Sequence, residues 1–194
     1  MSADGRGRST GGAARRRRAA TAGDDEFDVR GARRAEDPQR VATSRRGMVA
    51  TAHSEASRAG VAALEAGGNA IDAAISAALA LGVCEPAASG LGGQTMMLVH
   101  LAGEARTVAL DGSSRAPNLA TVGAFGNYRR ERRRGHRATT VPSSPAVYDY
   151  ALERYGRLGV AEVLQPAIQL AAEGYEVSEL QERLARRELK HLRA

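Results

Sequence analysis

Two short stretches of this 194-residue sequence gather residues able to do chemistry: Ser89-Gly90-Leu91-Gly92-Gly93 and Asp111-Gly112-Ser113-Ser114-Arg115-Ala116-Pro117. In the second, a carboxylate, two hydroxyls and a guanidinium crowd together. Arg115 offers a planar fork that suits a carboxylate bidentately. The alternative for Arg115, a pairing with a structural carboxylate or a place in solvent, stands beside that reading. The glycine run invites a phosphate test and fails it. Thr95 breaks a GxGxxG pattern and no GK[ST] follows. The run also leads into a strand pattern, whereas phosphate loops join a strand to a helix. Its glycines instead permit close backbone approach or positive φ near a site.

Other candidates carry less. Thr121, Thr139 and Thr140 qualify as nucleophiles by residue type alone. Cys84 stands between Val83 and Glu85 with no basic neighbour to activate it, so it reads as a structural thiol. His53, His100, His136 and His191 show no metal spacing, so neither a metal nor a cofactor is expected. A triad from Ser54, His53 and Asp111 has no support, because triads are recognised by spatial geometry.

The elements that must position these residues follow from pattern and caps. The apolar run 48–52 predicts a strand, and 54–66 a helix stopped by Gly67 and Gly68. Asn69 caps a second, alanine-rich helix over 70–81, with Asp72 in its first turn where the helix dipole favours an anion. Residues 95–101 and 106–110 predict strands joined by a hairpin turn at Ala102-Gly103-Glu104. Both sides of 95–101 are largely apolar, which suits a strand covered on both faces. The arginine-dense stretch 118–137 predicts an exposed loop. Helices are expected over 146–155, in two short pieces at 160–164 and 166–173, and over 178–193.

These pieces belong to a longer ordered set. Gly47-Met48-Val49-Ala50 comes first, then Ala66-Gly67-Gly68-Asn69-Ala70-Ile71-Asp72-Ala73-Ala74, Glu85-Pro86 and the glycine run. Tyr155-Gly156-Arg157-Leu158, Pro166-Ala167-Ile168 and Ala172-Glu173-Gly174-Tyr175 complete it. From Arg46 to Ser178 the order and spacing resemble the N-terminal part of the large subunit of the gamma-glutamyltransferase family. The resemblance implies an α/β (α+β) fold, part of the four-layer αββα sandwich of N-terminal nucleophile hydrolases. It implies a precursor that cuts itself to expose a Thr, which serves as nucleophile and, through its own α-amine, as base. That Thr attacks the γ-amide carbonyl of a glutathione-like substrate, and water or an amino acid resolves the acyl-enzyme. In the family the Thr and the oxyanion glycines lie past position 194, in the second subunit. No catalytic residue is therefore expected in this chain, and its missing partner is the small-subunit half.

The resemblance also assigns the polar segment. The family's carboxylate-gripping arginine lies in D-x-R-E-x-A-P, and alignment on Asp111 and Ala116-Pro117 puts Ser113 at the arginine position. Arg115 stands two residues later. Ser113 and Arg115 are thus the substrate-binding candidates. The departure is similar to the cephalosporin-acylase-like branch, whose members hydrolyse other amides.

Composition sets the remaining limits. A hydrophobic share of 43% suits one folded domain, and the 4% aromatic share with no Trp leaves the core to Ala, Val and Leu. One cysteine forms no internal disulfide. No run reaches membrane-span length, and the N-terminus lacks a secretory apolar core, so a cytoplasmic protein is expected although many family members are exported. The net charge of +6 sits almost wholly at the start: residues 1–46 hold 12 basic and 7 acidic groups, residues 47–194 hold 16 and 15. Residues 1–45 read as a disordered Arg-rich arm and 46–194 as the large-subunit portion. Two rival functions remain open: a catalytically inactive or structural fragment, and a nucleic-acid binder using Arg15 to Arg18 on phosphates. Those arginines have no interleaved aromatics to stack on bases.

Overall fold

The computed structural model describes residues 43–124, 128–131, 133 and 135–193. The arm read over 1–45 falls outside them except for 43–45, which are exposed and without helix or strand. The architecture is mixed: helices against a small antiparallel sheet.

Helix α1, Ser54–Glu65, is capped by His53, whose Nδ1 accepts the Glu55 N–H at 3.3 Å. Gly67, at φ +92°, turns the chain out of it. Helix α2, Ala70–Cys84, runs one turn beyond the expected end at residue 81, because Cys84 is as buried as Ala80 and packing extends the helix. α1, α4 (Ser144–Tyr155) and α5 (Val160–Glu173) all lie against α2. Its small residues let them approach, as the sequence indicated.

Strands β1, Thr95–Leu101, and β2, Arg106–Gly112, pair antiparallel with Val99 opposite Val108. Their link is a 3-10 turn, Ala102–Glu104, followed by Ala105 at φ +47°. One face carries Met97, Val99, Leu101 and Leu110 into a core with Ile71, Ile75, Ala151, Leu152 and Val163. The other is open. Met96 and Leu98 there are 68% and 78% exposed, so the strand expected to be covered on both faces is covered on one among the described residues.

Several expectations are corrected. The run 48–52 is not a strand. A strand needs a hydrogen-bonding neighbour, and the β1–β2 sheet has no third member among the described residues. Val49 instead packs on Gly60 of α1. The two helical pieces around Pro166 are one helix, α5. An interior proline removes a backbone donor at a cost of about 3 kcal/mol. Burial of Val163 before it and Ala167 after it holds the helix together across that break. Within 118–137 the described residues form a 3-10 turn at Val122–Ala124, a short helix α3 at Tyr128–Glu131 and a second 3-10 turn at His136–Ala138. The last helix, α6, spans Glu179–Leu192 and is capped by Ser178, with no buried residue.

The fold's main polar tie is Asp72, fully buried in the first turn of α2. One carboxylate oxygen accepts the Asn69 N–H at 2.7 Å, closing a capping box. The pair of oxygens also takes the N–H groups of Arg157 and Leu158, each at 3.1 Å. Asn69 Nδ2 donates in parallel to the Tyr155 carbonyl at 2.6 Å. The start of α2 is thereby fastened to the turn between α4 and α5.

An amide at position 72 keeps only one acceptor and adds an unmatched donor. Bonds to a charged acceptor are worth about 1.5–3 kcal/mol each. Asp72→Asn is expected to lower the unfolding free energy by about 2 kcal/mol in urea denaturation, with an unchanged m-value. A loss under ~0.5 kcal/mol, ordinary for a surface change, would show that the tie does not hold the fold.

Candidate functional site

The glycine-rich loop leaves α2 and enters β1, and the polar segment leaves β2 beside it, so the hairpin itself brings the two together. The start of α4 closes the junction. The Gly93 carbonyl accepts the N–H groups of Ser143 and Ser144 at 3.1 and 3.4 Å. Ser143 Oγ donates to the Gly112 carbonyl. Gln94 Oε1 accepts the Ser114 N–H at 3.3 Å, tying loop to segment directly. Thr95 Oγ1 lies 2.8 Å from Ser144 Oγ and 3.2 Å from the Tyr148 hydroxyl.

Gly112 is required at this junction. A Cβ there would sit 2.2 Å from Val147 Cγ2 and 2.4 Å from the Thr95 carbonyl oxygen, a backbone atom that pairing fixes in place. Between the glycine loop and α4 opens a cleft of about 580 Å³, with Ser144 and Tyr148 on its wall. That volume falls within the range of small-molecule sites.

The two expected substrate-binding residues take different places. Ser113 folds back on Asp111: its hydroxyl and its N–H both donate to Oδ1, at 2.6 and 3.0 Å. First the hydroxyl and then the N–H hold the Asp111 carboxyl below its ordinary range. Arg115 is anchored by its backbone, its carbonyl accepting the Val141 N–H at 2.8 Å in an isolated antiparallel bridge. Its side chain is exposed and meets no carboxylate among the described residues.

The lesser candidates separate. His53 is a helix cap, Asp111 is engaged by Ser113, and Ser54 is exposed at the start of α1, so the three make no triad. Burial raises the Cys84 thiol above its usual value, which disfavours the thiolate. Thr121, Thr139 and Thr140 are exposed. Among the described residues no three His, Cys, Asp or Glu side chains converge as a metal site would need, and no helix is long and apolar enough to cross a membrane. Sequence reasoning missed Gln94, Thr95, Ser143, Ser144 and Tyr148. Only the Ser143-Ser144-Pro145 run, a helix-start pattern, hinted at any of them.

Known proteins resemble this arrangement. The sequence profile described as gamma-glutamyltranspeptidase matches residues 56–194. The Acylase ACY 1 proenzyme of Pseudomonas sp. (strain V22) is 42% identical over 151 residues, covering 72% of this chain and 27% of the relative. The glutathione hydrolase proenzyme of Escherichia coli (strain K12) is 36% identical over 149 residues, covering 74% and 26%. The crystal structure of Helicobacter pylori gamma-glutamyltranspeptidase superposes with a TM-score of 0.72 at 34% identity, covering 76% of this chain and 44% of that one. The chain thus spans about a quarter of the length of these curated relatives.

The Asp111–Ser113 turn can be tested by titration. Because the folded carboxyl is held low, the turn is fully formed above the ordinary carboxylate value of 3.8 and is lost as pH falls through the depressed one. Carboxyl-carbon NMR is expected to show Asp111 titrating below its ordinary value. Ser113→Ala removes the larger of the two causes and should move the midpoint back up part of the way. A midpoint indifferent to Ser113→Ala would mean the hydroxyl does not hold the carboxylate.

Proposed function

The chain belongs to the gamma-glutamyltranspeptidase family, and from that premise we propose that it is the N-terminal, large-subunit portion of an amidohydrolase proenzyme with relaxed γ-glutamyl specificity. In this reading the remaining chain supplies the Thr nucleophile and the oxyanion donors. It also supplies the second sheet of a four-layer αββα sandwich, stacked on the open β1–β2 face where Met96 and Leu98 stand exposed. The reaction transfers an acyl group from a glutathione-like or related amide to the Thr, then to water or an amine. The junction of the glycine loop and the 111–117 segment receives the acyl part.

The observation that carries the specificity is the state of Ser113. It occupies the position where the resembled family places its carboxylate-binding arginine, and its hydroxyl proton is committed to Asp111. A neutral, engaged hydroxyl cannot replace a guanidinium fork. A charge-assisted bidentate contact contributes about 1.5–3 kcal/mol, roughly ten- to hundredfold in kcat/KM. That a relative is named an acylase supports a reading that reaches beyond γ-glutamyl groups.

The test uses the complete proenzyme after self-cleavage. Its kcat/KM for a γ-glutamyl amide is expected not to exceed that for the matching glutaryl amide, because the roughly ten- to hundredfold advantage a clamp confers is missing. A strong γ-glutamyl preference that Arg115→Ala abolishes would overturn the reading and make Arg115 the clamp. The 194-residue chain alone is expected to release no p-nitroaniline from γ-glutamyl-p-nitroanilide.

A further inference from the structure

A second cleft, of about 890 Å³, lies beyond the Arg115–Val141 bridge, where Ala116 and Thr140 flank that pairing on the two segments it joins. Its two walls differ in chemistry. Ala116, Pro117 and Leu119 make an apolar wall, and Leu119 is 88% exposed. Arg137, Thr139 and Thr140 make a polar one.

The polar wall has donors to spare. Arg137 Nη1 is taken by the Ala124 carbonyl and by Glu131 Oε2, the latter at 3.2 Å. Its Nε and Nη2 groups, the edge of the guanidinium that matches a carboxylate, have no acceptor among the described residues. Nor do the hydroxyls of Thr139 and Thr140 meet a partner among them. The segment that lines the cleft is basic in sequence: from 115 to 140 it carries seven arginines and one acidic residue, Glu131. Such an excess raises the local concentration of anions.

We propose that this cleft binds a small organic carboxylate with an apolar body, the carboxylate on the free edge of Arg137 beside the threonine hydroxyls and the body against Leu119 and Pro117. The carboxylate matches the fork and the charge. The body covers an apolar wall that is otherwise left in water. A purely inorganic anion would leave that wall bare, and a neutral apolar molecule would leave the guanidinium edge unsatisfied. The site is independent of the acyl-transfer reading, since binding needs neither nucleophile nor partner subunit.

The probe is 4-phenylbutyrate, with its primary amide as the uncharged control, titrated into the full chain and followed by methyl NMR and calorimetry. Saturable binding with a Kd on the order of 0.1–1 mM is expected, with shifts in the Leu119 and Thr140 methyl signals. The amide should bind roughly tenfold more weakly or worse, as should the acid to Arg137→Gln. Leu119→Asp serves as the second variant, because a side chain so exposed can change without disturbing the fold; it should abolish binding. The proposal is overturned if the acid does not saturate by 10 mM, if acid and amide bind equally, or if Leu119→Asp binds like the parent.

Discussion

The structure depends first on one buried carboxylate. Asp72 lies at the point where α2 begins, and its two oxygens gather N–H groups from its own helix and from a turn some 85 residues further on. A buried charge is tolerated only when its acceptor sites are filled, and here backbone donors fill them. Backbone donors cannot swing away as side chains do. The start of α2 therefore has one position relative to α4 and α5, and whatever α2 carries at its far end inherits it.

What it carries is the glycine-rich loop. α2 buries small residues, Ala73, Ser76, Ala77, Ala80 and Cys84, alongside its two isoleucines, so α1 and α5 can approach closely. The same logic recurs at Gly112, where Val147 of α4 and the Thr95 carbonyl leave no space for a Cβ. Close packing at Gly112 thus allows helix and hairpin one register. The hydrogen bonds of Gly93, Gln94 and Ser143 then fix the loop on that frame. A two-stranded sheet is marginal by itself; this one is held by helices beneath its inner face.

Local signals were legible and long-range ones were not. The Asn69 cap, the Gly67 turn and the two strands are written in adjacent residues, and the structure has them where the sequence puts them. The run 48–52 failed because a short apolar stretch does not reveal whether it has a strand to pair with. Pro166 failed because a local penalty was weighed without the burial of Val163 and Ala167 on either side. In the site, the polar segment could be read from residue types, while the place given to Ser113 came only with the family resemblance. The junction could not: Gln94 to Ser114, Ser143 to Gly112 and Thr95 to Tyr148 join residues 20 to 53 apart, with no periodicity to announce them. Asp72 was readable as a helix-start anion; its hold on Arg157 and Leu158 was not.

Backbone geometry decides how far Arg115 can compensate for Ser113. Each residue of extended chain advances about 3.3 Å, so an arginine two positions along stands roughly 7 Å from the place it would have to serve. Sliding the segment back would break the bridge from the Arg115 carbonyl to the Val141 N–H and the bond from Ser114 to Gln94. It would also move Gly112 out of the one place where α4 admits it. The segment is therefore pinned at both ends, by Gly112 and by Val141, and its backbone cannot slide Arg115 into the place of Ser113. A loop free to slide would make the exchange of arginine for serine a matter of register. Pinned as it is, the segment presents Ser113 rather than Arg115 at that backbone position, and the proposed specificity rests on that.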